Sequence, residues 1–160
     1  MTRRIALSAL LATLALPLIP APARAADDEA KTLAQSILDA GSKLFDSRDA
    51  RAMAQTYLDD GVIYTCVPEE ETGAYKKEAV RGHADIEAGY AKIFADRPAG
   101  TKSKNEVETA KKMGSDLLMI QGRFVLDTNQ PDQAVEFVQV RQKQGEAWKI
   151  MTLQLFMVKK

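Results

Sequence analysis

His83 and Cys66 are the only imidazole and the only thiol in this chain of 160 residues, which bounds its chemistry at once. One thiol makes no internal disulfide, and one thiol with one imidazole falls short of the three or four ligands that a zinc site takes. His83 follows Gly82 at a helix start, a surface position, and proton transfer by it would need an orienting partner and reach to a substrate. Cys66 ends a strand with no His in predictable reach and reads as a small buried residue. The run Glu69-Glu70-Glu71 reads as a solvated acidic loop, since calcium takes more oxygen ligands at organised spacing. These residue types point to no metal and no cofactor.

The other polar candidates lie on strands. Gln121 and Arg123 alternate with Ile120, Gly122 and Phe124, and Gln139 and Arg141 alternate with Val138 and Val140. Such a pair points either into a ligand cavity or into water from a half-exposed face. Arg123, in mid-strand, is suited to hold a carboxylate or phenolate bidentately, whereas Arg141, beside a hairpin, is expected in solvent. Tyr57 and Tyr64 are candidate pocket walls, each with a phenol able to donate one hydrogen bond. On the last strand Trp148, Ile150, Thr152, Gln154 and Phe156 share one face, and Met151, Leu153, Leu155 and Met157 the other. Both faces are apolar enough to need cover.

The elements that must position these residues follow from periodicity. Leu33, Ile37, Leu38, Leu44 and Phe45 recur at helical spacing, which predicts an amphipathic helix over residues 28–46. Asp49 reads as the N-cap of a short helix through Met53 and Tyr57, stopped by Asp59-Asp60-Gly61. Val62-Ile63-Tyr64-Thr65 reads as a strand, residues 68–73 as a loop, and residues 82–96 as a third helix ended by Arg97-Pro98-Ala99-Gly100. Strands are predicted near residues 102–112, 116–126, 134–143 and 147–158. The order α-α-β-α-β-β-β-β describes one α+β domain, three helices against one face of a curved antiparallel or mixed sheet.

Residues 1–25 have a different character. Arg3 and Arg4, an apolar stretch to Ile19 that is short for a membrane span, and Ala23-Arg24-Ala25 form the three regions of a cleavable export signal. Ala6 stands where a twin-arginine signal prefers Phe, so the general secretory route is expected, and the lack of a Cys after the stretch argues against a lipid anchor. Cleavage after Ala25 leaves residues 26–160 as a single periplasmic or secreted domain without membrane attachment. The whole chain balances 22 basic against 22 acidic residues, but three of the basic ones are leader arginines, so the mature part carries −3. No basic field for nucleic acid remains.

Three stretches resemble the nuclear transport factor 2-like superfamily, in particular its SnoaL-like and ketosteroid isomerase-like branch. The run from Asp49 through Met53, Tyr57 and Asp59-Asp60 to Val62 is similar to a helix signature of that family. Val80-Arg81-Gly82-His83-Ala84-Asp85-Ile86 is similar to its helix entry, and Gly145-Glu146-Ala147-Trp148-Lys149-Ile150 to its final hairpin. The resemblance implies a cone-shaped fold whose sheet wraps a pocket, often as a homodimer joined through the sheets. It directs the Trp148 face to the pocket, which makes Tyr57, Tyr64, Gln121, Arg123, Gln139, Thr152 and Gln154 the ligand-binding candidates. Met151, Leu153, Leu155 and Met157 are then the dimer-interface candidates.

The same resemblance leaves no catalytic residue assigned. It aligns the family's base near Thr65 and its oxyanion tyrosine near Gly41, and puts Thr152 and Gln154 where many relatives keep His. The expected function is binding of a small, largely apolar organic molecule. The alternatives are a cofactor-free lyase, isomerase or hydrolase using Arg123 with Asp127, Glu136 or Tyr64, and a homo-oligomerising assembly domain without catalysis.

Overall fold

A computed structural model describes residues 21–69, 72 and 74–157. The leader through residue 20, Glu70 and Glu71 of the acidic loop, and Val158 lie outside the described residues. Helix α1 (Ala21–Asp46) begins ahead of the predicted start, with Pro22 in the first turn, where its missing N–H costs no helical bond. Residues 25–29 are exposed, and packing begins with the stripe Ala30, Ala34, Leu38 and Phe45. Helix α2 (Ala50–Ala54) is capped as expected, the Ala52 amide donating to Asp49 Oδ1 at 2.8 Å. It stops short of Tyr57 because the sheet captures the next residues: Ile150 N donates to the Thr56 carbonyl at 2.8 Å. Strand β1 therefore runs Tyr57–Pro68, through the Asp59-Asp60-Gly61 segment expected to end the helix.

The remaining elements are β2 (Tyr75–Arg81), α3 (Gly82–Asp96), β3 (Lys104–Lys112), β4 (Leu117–Val125), β5 (Ala134–Gln144) and β6 (Ala147–Phe156). Strand β2 was not predicted. It is an almost wholly exposed edge strand rich in Lys, Glu and Arg, a composition that protects an edge from further pairing and hides it from hydrophobic periodicity. The strands line up β2-β1-β6-β5-β4-β3. Only β1 with β6 is parallel; the other neighbours are antiparallel. The α+β class holds, with six strands in a mixed sheet.

Three register shifts bend this sheet. On β1 the chain from Tyr57 to Val62 faces only Ile150 to Thr152 of β6. Gly61 lies in that bulge, where a Cβ would stand 2.9 Å from the Leu58 carbonyl oxygen and from Tyr57 Cβ. On β6, Met151 has no counterpart on β5, because Arg141 faces Ile150 and Val140 faces Thr152. On β3, Glu108 is the extra residue between Val107 and Thr109, opposite Gly122 and Gln121 of β4. A Cβ on Gly122 would lie 2.2 Å from the Glu106 carbonyl oxygen, so the strands approach there more closely than any other residue allows.

The helices cover the concave side. Helix α1 lies over β3, and its Gln35 completes that edge strand: Val107 N donates to Gln35 Oε1 at 3.1 Å, and Gln35 Nε2 donates to the Asn105 carbonyl at 3.0 Å. The side-chain amide thus replaces a neighbouring strand. At the end of α1, Asp46 Oδ1 accepts from Arg97 Nη2 at 2.9 Å and Ser103 Oγ at 2.9 Å, tying α1 to the segment after α3.

Candidate functional site

Between the helices and the concave face lies a cavity of about 770 Å³, within the range of small-molecule sites. Helix α1 contributes Leu38, Leu44 and Phe45, α3 contributes Tyr90, and the sheet contributes Phe124, Phe137, Ile150, Leu153 and Leu155. One side is an aromatic cluster: the Phe45 ring meets Phe94 and Phe124 edge-on, each at 5.0 Å between centroids. The wall is mainly hydrocarbon, so the few polar groups it holds define what enters.

The ionisable ones gather around Ile150. On β6, Ile150 faces Tyr57 of β1 on one side and Arg141 of β5 on the other, so the phenol and the guanidinium flank one apolar residue on the same sheet face. The Tyr57 and Tyr90 hydroxyls are 2.9 Å apart and share a hydrogen bond. Burial pushes both phenols above their ordinary range, Tyr57 well above it, so both are neutral at physiological pH; the Arg141 charge opposes this more weakly. Arg141 itself is only 6% exposed. Its Nε donates to Gln139 Oε1 at 2.9 Å and its Nη1 to the Trp148 carbonyl at 3.0 Å. Burial lowers its pKa to about 10, with the two phenols acting in the opposite sense, so it keeps its charge at neutral pH. Among the described residues no carboxylate pairs with it.

Of the pocket candidates, the structure brings Tyr57 and Gln139 to the cavity. Gln121, Arg123, Tyr64, Thr152 and Gln154 lie on the opposite, convex face. Arg123 Nε is there 3.3 Å from Glu136 Oε1 and its Nη1 is 3.8 Å from Glu106 Oε2. The Tyr64 ring lies under Lys77 Nζ at 3.7 Å, and Gln154 Nε2 donates to the Cys66 thiol at 3.3 Å. Leu153, Leu155 and Met157, assigned to a dimer interface, line the cavity instead, and Met151 is the bulged residue. The physical reason is that bulge: Trp148 and Ile150 face inward as expected, but one extra residue reverses the alternation, so Leu153 and Leu155 take over the inner face from Thr152 and Gln154.

Sequence reasoning missed Arg141, the cation of the site, by placing it in solvent. Its signal was Gln139, two residues earlier and hence on the same face. Thr65 and Gly41, aligned with the family's base and oxyanion tyrosine, both line the cavity but offer no titratable group. His83 does not line it. Its Nε2 donates to the Tyr57 carbonyl at 3.1 Å, and Nδ1 is 3.9 Å from Asp59 Oδ1, so it fastens the start of α3 to the bulge behind Tyr57. Among the described residues no cluster of three or more His, Cys, Asp or Glu is arranged to hold a metal ion, and no helix is long and apolar enough to cross a membrane.

No protein-family model matches the chain, and no curated protein matches it. Solved structures do. A domain of unknown function with a cystatin-like fold from Nostoc punctiforme is 15% identical over 82% of this chain and 79% of that one, with a TM-score of 0.59. An NTF2-like protein of unknown function from Pseudomonas putida is 12% identical over 83% and 89%, with a TM-score of 0.57. A further NTF-2 like protein of unknown function, from Shewanella oneidensis, is 17% identical over 76% and 94%, with a TM-score of 0.56. Identities this low carry the fold alone. The chain has the nuclear transport factor 2-like fold, and because one fold hosts many chemistries, function rests on the cavity.

Proposed function

We propose that this is an exported, SnoaL-like domain that binds a small, largely apolar organic molecule in the concave cavity, without a metal. The observation that carries this reading is a large apolar cavity in which, among the described residues, no acid and base are paired. Its ionisable lining groups are Tyr57, Tyr90, Arg141 and, at the rim, Lys149 and Glu146. Proton transfer asks for a positioned carboxylate or imidazole near the reacting atoms. The enzyme alternative relied on Arg123 with Asp127, Glu136 or Tyr64; Arg123, Glu136 and Tyr64 lie across the sheet from the cavity, and Asp127, in the turn after β4, accepts from Asn129 N at 2.9 Å and does not line it. Export with cleavage after Ala25 is supported by the packing of α1: residues 25–29 are exposed, and among the side chains described the packed stripe starts at Ala30.

Native mass spectrometry of the protein taken from a bacterial periplasm tests the reading. An organic mass that co-purifies, is released on unfolding and competes with the neutral dye Nile red supports it. Empty spectra together with no dye binding overturn it. The assembly reading concerns the other face. Val138, Val140 and Phe156 are half-buried on the convex side and support association of two chains there, leaving the cavities free. Size-exclusion chromatography with light scattering checks this, and a monomer at high concentration sinks it.

A further inference from the structure

We infer that the ligand is an organic monoanion, a carboxylate on an apolar body, whose head docks on the guanidinium of Arg141. The inference rests on the binding function proposed above and names the chemistry of its ligand. Arg141 is 6% exposed, lines the cavity and has no carboxylate partner among the described residues. A buried charge without a counter-charge is costly, and proteins normally pair it or remove it. Here the chain retains it and holds it still. Gln139 Oε1 takes the Nε proton and the Trp148 carbonyl takes one from Nη1, while Nη2 donates to no described residue. The fork is thereby oriented from behind, with donors left over for a ligand oxygen.

The surroundings select charge and shape. Tyr57, on the far side of Ile150, shares its hydroxyl hydrogen bond with Tyr90, which adds neutral donors and no second positive charge. Lys149 at the rim donates to the Gln55 carbonyl, and Glu146 lines the same rim, so the rim's two charges are of opposite sign and sum to zero. One unopposed cation suits one negative charge, so a monocarboxylate fits better than a phosphate dianion. Away from Arg141 the wall is mainly Phe137, Leu153, Leu155 and the aromatic cluster around Phe45, with Thr65 and Asn105 as polar exceptions; the Asn105 amide is spent on Ser42 Oγ and the Leu38 carbonyl, so most of the wall offers a ligand body dispersion contacts.

Titration calorimetry at neutral pH with four probes tests this: octanoate and 2-naphthoate, against octanol and 2-naphthalenemethanol as uncharged counterparts. At least one carboxylate is expected to bind about tenfold to a hundredfold more tightly than its alcohol, the range for a charge-assisted hydrogen bond. The alkyl and naphthyl arms tell whether the body is a chain or a ring. Arg141→Met abolishes the preference for the carboxylate and leaves alcohol binding within about twofold, Arg141→Lys restores part of it, and Arg123→Met, on the other face, changes nothing. Equal affinity for carboxylate and alcohol, or a preference that survives Arg141→Met, overturns the inference and leaves cavity binding standing. Failure of all four probes to bind overturns the inference, and where Nile red also fails to bind and the native spectra are empty, cavity binding falls with it. If Arg141→Met does not fold, the wild-type comparison and Arg141→Lys decide.

Discussion

Arg123 and Arg141 sit on adjacent antiparallel strands, each two residues from a glutamine, and the two faces of one sheet give them opposite circumstances. Arg123 is 40% exposed in its side chain and lies 3.3 Å from Glu136. Water and two carboxylates satisfy it, and such a surface pair adds little to stability. Arg141 is 6% exposed and among the described residues has backbone and amide partners only. Residue type and strand position are alike, so the difference lies in what the tertiary fold puts opposite each guanidinium. A satisfied arginine on the convex face explains itself structurally; one without a counter-charge on the concave face is what the proposed ligand would answer.

The contrast between the faces can be broken most severely at Gly122, on the concave side where β3 and β4 approach. Gly122→Ala puts a Cβ 2.2 Å from the Glu106 carbonyl oxygen and 3.2 Å from the Phe137 ring, against backbone that cannot yield cheaply. We expect a loss of about 3 kcal/mol or more, seen as a fall in the urea midpoint or as insoluble protein. A Gly122→Ala protein of native stability would mean that the strands do not approach this closely.

Neighbouring positions on β5 sharpen the comparison. Phe137 is 2% exposed and faces the cavity, so Phe137→Ala is expected to cost about 3–5 kcal/mol. Val138, half-buried on the convex face, is expected to cost about 1 kcal/mol or less on truncation in the monomer. Equal losses in parallel denaturation curves would mean that the inward face has been misassigned.

Arg141→Met goes the other way. Burial lowers the Arg141 pKa from the ordinary guanidinium range to about 10, so below pH 10 the folded state carries a charge that it holds less well than the unfolded chain does. The shift corresponds to roughly 3 kcal/mol, offset in the variant by the loss of both hydrogen bonds, to the Gln139 oxygen and the Trp148 carbonyl, at a combined cost of about 1–3 kcal/mol. Without ligand, Arg141→Met is therefore expected to be as stable as the wild type or more stable. Because the folded pKa is depressed, the penalty is full below about 10 and fades as pH rises from there toward the unfolded value. The gap between variant and wild type should shrink over that window in urea melts. A gap that widens there, or a variant clearly less stable at neutral pH, would make Arg141 a structural residue. Arg123→Met is the smallest change, within about 0.5 kcal/mol, and a thermal melt shows whether it is.

Much of this molecule was readable in its residues. Asp49 announced its cap, the apolar spacing in α1 and α3 announced their buried stripes, and β3 to β6 were located to within a few residues. Strand β2 stayed hidden because Lys76, Lys77 and Glu78 are exposed edge residues with no buried face to leave a period. The inner face was misread beyond Ile150 because a bulge at Met151 leaves no mark in a run where both faces are apolar.

Local chemistry decided which residues share a face: Gln139 goes with Arg141, and Gln121 with Arg123, by the two-residue repeat of a strand. Only the tertiary structure decided which of those faces is turned inward, since that choice depends on the helices that cover one side of the sheet and on bulges set by pairing with distant strands. The standing of Arg141 follows from the same cause. A guanidinium is cheap in water and costly under cover, and nothing in its own neighbourhood along the chain tells which it will be.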